Sequence, residues 1–354
     1  MISFSCDYLT GACPEILNAL NKANSMIHSP YGDDDFSKES QQLILKACGA
    51  NNGRVWFLSG GTQSNMTFIK ACLRPHEGVI STNEAHIATH ETGAIESTGH
   101  KVLTLPSGTG ENAGKITAYQ IEQAVIAHME DSSFEHIVKP KMVYISQPTE
   151  IGTIYTPDEI VAIANVCKKY SLYFYVDGAR LACAYAHILD FYKTNLFKLL
   201  AQSCDAFTIG GSKCGALFGE ALVVLNDDIN NEFKYIVKQG GALMSKGFII
   251  GVQYSELFKN DLYLNIGKHS NNMAMQIKQI FKDFNFLSNS YTNQQFPIIP
   301  LNLYKHLKDN FDFSLWQKLP NDMVTVRFVT SFITKQAHVD ALAKAVEDFN
   351  NKAN

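Results

Sequence analysis

The sequence predicts an α/β layered fold: a large domain on a mostly parallel sheet, followed by a smaller C-terminal α+β domain. Three observations lead there. Short, wholly apolar runs alternate with helical patterns through the middle of the chain. From about Asn271 that alternation gives way to helical stretches flanking isolated strand candidates. The chain then closes on an amphipathic stretch, Gln336 to Phe349. The predicted division is a large unit over 1–250, N-terminal segment included, and a small unit over 251–354. A chain of 354 residues that is 46% hydrophobic can bury cores of that size.

The strand candidates of the large unit, in order, are Val55–Leu58, Gly78–Ser81, Lys101–Leu105, Met142–Ser146, Leu172–Val176, Ala206–Ile209 and Ala221–Leu225. Such runs suit strands covered on both faces. Between them, Thr156-Pro-Asp-Glu159 reads as a helix start, with Thr as N-cap, Pro at the first position and Glu at the third. Ile160, Ile163, Ala164 and Cys167 follow at helical spacing. A second helical stretch, Met66–Leu73, follows the turn Ser59–Asn65, and Ser107–Gly114 reads as a surface loop. In the small unit, Phe296–Ile299 and Met323–Val329 are strand candidates. Val339, Leu342, Ala345 and Val346 share one face of the final helix.

Composition excludes several classes of function. With 30 basic and 34 acidic residues the net charge is -4, which argues against nucleic acid as a partner. No apolar run approaches the ~20 residues that span a bilayer, and the first residues do not read as a signal peptide, so no membrane partner is expected. The 8 cysteines form no CxxC pair, which fits free thiols in a reducing cytoplasm.

Chemistry concentrates in a few places. Tyr173–Asp177 is an apolar run that delivers a carboxylate at its end, where α/β sheets bind ligands. Asp177 is either functional or a helix cap. Downstream, Gly210-Gly-Ser-Lys213-Cys-Gly places a lysine inside a small-residue turn. A lone lysine in a turn is usually solvated, yet small neighbours on both sides argue for close packing around something bulky. Pyridoxal 5'-phosphate (PLP) needs such a pair: an amine for a Schiff base with its aldehyde, and an anion opposite its pyridine nitrogen. Ser59-Gly-Gly-Thr62 leads into a helix and suits a phosphate, with Gly61 allowing backbone approach and Thr62 adding a hydroxyl; the bland reading is an ordinary glycine turn. Arg180 is either a salt-bridge partner or an anion contact. Arg327, a lone charge in an apolar strand, calls for an anion: a substrate carboxylate or an internal acid. His86 and His90 lie at i, i+4, which is metal-ligand spacing, but no third ligand is evident. A histidine stacked on an aromatic cofactor is the better functional reading of His86.

Together these residues resemble the threonine aldolase and β-eliminating lyase family of fold-type I PLP enzymes, whose large domain is aspartate aminotransferase-like. The resemblance runs from Tyr31-Gly-Asp-Asp-Asp through Ser59–Asn65, Ala85-His-Ile and Asp177-Gly-Ala-Arg-Leu to Ser212-Lys-Cys-Gly and Val326-Arg-Phe-Val-Thr. It implies that Lys213 carries the cofactor, Asp177 pairs with the pyridine nitrogen, Gly61 and Thr62 hold the phosphate, and His86 stacks on the ring. Arg180 would help fix the cofactor or the substrate carboxylate, and Arg327 would grip that carboxylate. The resemblance also implies a homodimer or homotetramer with the active site at the subunit interface, to which Tyr31 and the Lys238–Lys246 loop contribute. Two departures stand out. Gln147-Pro-Thr-Glu150 replaces Glu-Asn-Thr-His, so Glu150 stands where a histidine handles the substrate hydroxyl. Gly240-Gly-Ala-Leu-Met-Ser-Lys246 replaces Gly-Gly-Gly-Met-Arg-Gln, with a lysine for an arginine near the phosphate. The activity implied is cleavage of a β-hydroxy-α-amino acid, threonine or allo-threonine, to glycine and an aldehyde. A PLP-dependent β-eliminating lyase, an aminotransferase, a metal hydrolase on His86 and His90, or a non-catalytic binder are the alternatives.

Overall fold

The structure, a computed structural model, describes residues 1–353. Its large sheet has 7 strands in the order β2-β8-β7-β6-β5-β3-β4. They are β2 (Arg54–Leu58), β3 (Glu77–Thr82), β4 (Val102–Leu105), β5 (Lys139–Ser146), β6 (Tyr173–Asp177), β7 (Ala206–Gly210) and β8 (Glu220–Val224). Every strand candidate of the large unit is therefore present. β3 to β7 pair in parallel, and β8 runs antiparallel to both β2 and β7.

Period-two burial explains why these runs are apolar throughout. Val143, Ile145, Phe174, Val176, Phe207, Ile209 and Val223 pack into one core. Their neighbours Met142, Tyr144, Tyr175, Ala206, Leu222 and Val224 pack into a second core on the other face. Helices cover both sides. Ile160 and Ile163, from the Pro157–Lys169 helix, enter the first core, and Phe68 and Ile69, from the Gly61–Cys72 helix, enter the second. Thr156 and Glu159 form the reciprocal cap their spacing predicts, at 3.2 and 2.7 Å.

The helix after the glycine turn differs from the sequence expectation. It begins at Gly61 rather than Met66. Thr62 to Asn65 thus lie in its first turn, and Asn65 is fully buried against the sheet.

The C-terminal part forms a separate small sheet. β10 (Ile298–Pro300), β13 (Met323–Val329) and β12 (Ser314–Leu319) pair in that order, and β9 (Gln294–Gln295) adds to β13. The first strand of the chain, β1 (Ile2–Ser3), pairs in parallel with β11 (Phe311–Asp312). Phe4 packs there with Phe281, Phe311, Phe313 and Phe328, under Val339, Leu342 and Val346 of the final helix. Among the described residues no helix is long and apolar enough to cross a membrane.

Candidate active site

β2, β5, β6 and β7 end, and antiparallel β8 begins, at one edge of the large sheet. A cavity of about 300 Å³ opens at that edge. Its wall includes Gly61, Thr62, His86, Glu150, Asp177, Arg180 and Lys213, so most of the residues singled out in the sequence meet in one place.

Asp177 closes β6 and is surrounded by donors. Tyr144 O–H and Asn65 Nδ2 donate to Oδ2 at 2.7 and 3.1 Å, and Ala179 N donates to Oδ1 at 2.9 Å. Lys213 is half-buried, and its ammonium has no hydrogen-bond acceptor among the described residues. Its Nζ lies 5.9 Å from the ring centre of Tyr8. Burial, reinforced by the charge of Arg180, pulls the Lys213 pKa down, which favours the nucleophilic free amine.

The turn around Lys213 has a different origin from the one its composition suggests. A side chain at Gly210 would collide with the backbone of Ala179, and one at Gly211 with the Gly219 carbonyl and the Tyr254 hydroxyl. These glycines answer to close backbone approach within the protein, not to a bulky ligand. Gly60 and Gly61 are the opposite case, since a Cβ at either would meet nothing within 4 Å. No side chain caps the helix that starts there, so its first N–H groups face open space, as an anion site requires.

His86 sits at the start of the short His86–Thr89 helix, held from two sides. Its Nδ1 lies 2.8 Å from Glu91 Oε1, and its backbone N donates to Glu150 Oε1 at 2.8 Å. The hydrogen bond to buried Glu91 raises the His86 pKa. Ser146 Oγ also donates to Glu150 Oε1, at 2.6 Å, while Glu150 Oε2 is shut away from solvent without a partner. Burial, with a smaller push from Asp177, raises the Glu150 pKa. Asn65 Nδ2 joins Glu91 to Asp177, and Ser146 Oγ lies 3.4 Å from Tyr144 Oη. Ser146 and Tyr144 each give their single proton to a carboxylate, so Tyr144, Asp177, Asn65, Glu91, His86, Glu150 and Ser146 form an open hydrogen-bonded chain whose two ends face each other.

Arg180 makes a two-pronged pair with buried Asp7, at 2.6 and 2.9 Å, and Asn293 donates to the same carboxylate at 2.9 Å. Arg327 lies outside the cavity wall. It has no acidic partner among the described residues: it donates to Ser5 O at 3.3 Å and Ser314 Oγ at 3.4 Å, and its Nε is buried and bare. Tyr31 is also outside the cavity. Its N donates to Ser245 O at 3.1 Å and Lys238 Nζ lies 5.0 Å from its ring, so it shares a surface patch with the Lys238–Lys246 loop. His90 stacks on His86 with ring centres 5.7 Å apart, and no trio of potential metal ligands occurs among the described residues.

Sequence reasoning missed Asp7, Asn65, Glu91, Tyr144, Ser146 and Glu220. Glu91 lies five positions after His86, and Ser146 and Tyr144 alternate on a strand already assigned, so period and proximity offered a signal for them. Asp7 offered none.

The sequence profile of the Beta-eliminating lyase family matches residues 3–300. The chain is 31% identical over 286 residues to a low specificity L-threonine aldolase of Pseudomonas aeruginosa, covering 79% of this chain and 78% of that one. It superposes on a threonine aldolase of Leishmania major with a TM-score of 0.92 and 37% identity, over 99% of both chains. A rice protein, TDC, solved with PLP and tryptamine, shares the fold at a TM-score of 0.70 and 12% identity, covering 99% of this chain and 83% of that one. The fold is that of fold-type I PLP enzymes, and the chain belongs to the β-eliminating lyase family.

Proposed function

We propose that this protein is a PLP-dependent lyase of the aldolase kind, cleaving threonine or allo-threonine to glycine and an aldehyde. The observation that carries the reading is the meeting of Lys213, Asp177 and an open, uncapped glycine turn in one cavity. Those residues fit the cofactor: Lys213 as its covalent anchor, Asp177 opposite the pyridine nitrogen, Gly61 and Thr62 at the phosphate, His86 against the ring face. Arg180, oriented by Asp7, lies beside them. Bound there, PLP supplies the electron sink for the pair released at Cα.

The chain's own residues then decide which bond breaks. Arg327, the cation without an acid, binds the substrate carboxylate, with Arg180 as a second contact, and so sets the orientation of the substrate. Glu150, on the cavity wall, accepts the β-hydroxyl proton once ionised. Tyr144 and Asn65 keep Asp177 in place while charge moves toward it.

The test is product identity. Threonine or allo-threonine should yield glycine and acetaldehyde, and purified protein should be yellow with cofactor bound. Pyruvate and ammonia from serine, or a keto acid with the amine retained, would replace this reading with β-elimination or transamination.

The working unit is proposed to be a homodimer or homotetramer. The patch of Tyr31 and the Lys238–Lys246 loop supports that assembly, because it lies on the surface away from its own cavity. The two units are proposed to divide at 250/251, and the free cysteines suit the cytoplasm.

A further inference from the structure

Glu220 takes no part in the chemistry above, yet it lies on the same cavity wall as Lys213 and Asp177. It opens β8, paired with Leu58 of β2 on one side and Gly210 of β7 on the other. β2 runs on into Ser59-Gly-Gly-Thr62, and β7 into the turn bearing Lys213. Gly219 N donates to Ser212 Oγ at 3.1 Å, tying Glu220 to that turn. Strand alternation puts Glu220 on the face of Leu222 and Val224, the face that also carries Leu58 and Tyr175, and with Tyr175 its strand neighbour Asp177. β7 lies between β6 and β8, and Asp177 stands level with Thr208 and Leu222, two residues along the strands from the Gly210–Glu220 pair.

The placement is physically odd. Glu220 is 3% exposed, its Oε2 has no partner, and it stands beside a turn shaped for a phosphate. Lys213 and Arg180 are the basic side chains of Lys or Arg type on the wall, and Arg180 is already neutralised by Asp7. The other titratable groups near Glu220 are Asp177 and Tyr175 of β6, Cys214 of the lysine turn, and Tyr254 and Tyr263 of the helices behind. None supplies a second positive charge. An ionised carboxylate here would repel a phosphate dianion, whereas a protonated one would donate a hydrogen bond to it.

We propose that Glu220 takes up a proton from solvent when the phosphate-bearing cofactor binds, and holds the phosphate as a neutral hydrogen-bond donor. Burial, aided by Asp177, already raises the affinity of Glu220 for a proton, while Lys213 opposes it. The phosphate's added negative charge raises that affinity further. This proposal rests on the cofactor reading above.

Pyridoxal, which lacks the phosphate, is the control ligand, because contributions from Lys213 and the ring cancel between it and PLP. Calorimetric titration of apoprotein at a pH above the free pKa of Glu220, in buffers of different ionisation enthalpy, should show PLP taking up about one proton more than pyridoxal. In Glu220→Gln the two ligands should match. The advantage of PLP over pyridoxal should fall about tenfold per pH unit in the native protein above the free pKa of Glu220, and stay flat in the variant. Equal proton uptake for both ligands in the native protein would overturn the proposal, whether or not Glu220→Gln folds. So would an unchanged pH slope in the variant. PLP binding without extra proton uptake leaves the cofactor reading standing; failure of the native protein to bind PLP overturns both.

Discussion

Asn65 Nδ2 donates to Glu91 Oε1 at 2.8 Å and to Asp177 Oδ2 at 3.1 Å, so one amide separates two buried carboxylates. Tyr175 O–H donates to Asn65 Oδ1 at 2.9 Å and fixes which way the amide faces. Asn65→Ala removes the shared donor and leaves both acids short of a partner. We expect a loss of about 2–4 kcal/mol in urea unfolding and a fall in turnover with it. Unchanged stability would mean that water replaces the amide without cost.

Lys213 is expected to carry the cofactor. Borohydride reduction of the purified protein followed by peptide mapping should place the pyridoxyl group on Lys213. A label on Lys246 or Lys238 would overturn the assignment.

Glu91 sets the charge of His86. The His86 pKa is raised in the fold, so its stabilising contribution is complete below the unfolded histidine value and is lost as pH rises through the higher folded value. Glu91→Gln should lower the His86 pKa, read directly from its ring proton in an NMR pH titration. An unmoved titration would show that Glu91 does not hold the ring in solution.

Glu150 is held above the ordinary glutamate range, so as a base it becomes competent only as pH rises through that raised value. Cleavage should therefore increase with pH along a limb above the usual carboxylate range. Glu150→Gln should still bind cofactor but lose most cleavage. Robust cleavage by the variant would take Glu150 out of the mechanism. The same burial makes its ionisation a cost to folding: the stability it lends is present at low pH and declines as pH rises through the raised value.

Arg327→Leu should raise KM for amino acids and leave the cofactor spectrum intact. Truncating one partner of a charge-assisted pair costs ~2–5 kcal/mol. An unchanged KM would make Arg327 a structural cation resting on Trp316, whose ring centre lies 5.3 Å away.

Much of this was legible in the sequence because the relevant signals are local. The strands of the large sheet read as unbroken apolar runs since both faces are covered. Asp177 stood out because it ends such a run, and Lys213 because it sits in the small-residue turn that follows one. The buried carboxylates were harder: Glu91 and Glu220 are ordinary glutamates until folding shuts them in, Glu91 against Asn65 and Glu220 with one oxygen bare. Asp7 and Arg180 lie 173 positions apart, a separation no periodicity reports. The glycines around Lys213 misled for a related reason. Composition signals close approach but not what approaches, and here it is the backbone of Ala179 and Gly219.

The pairing of β1 with β11, far along the chain, has a consequence for biosynthesis. Phe4 is stitched between Asp312 and Val329, at 2.6 and 2.8 Å, and Asp7 follows it to its pair with Arg180. During translation this segment is made more than 300 residues before the partners it pairs with. At roughly 5–20 residues per second that delay is about 15–60 s. In the later part of that interval, once Arg180 has been made, it lacks its docked counter-ion and the nascent large domain stands without a finished pocket. An N-terminal fusion tag would be tethered to the very strand that docks at the end.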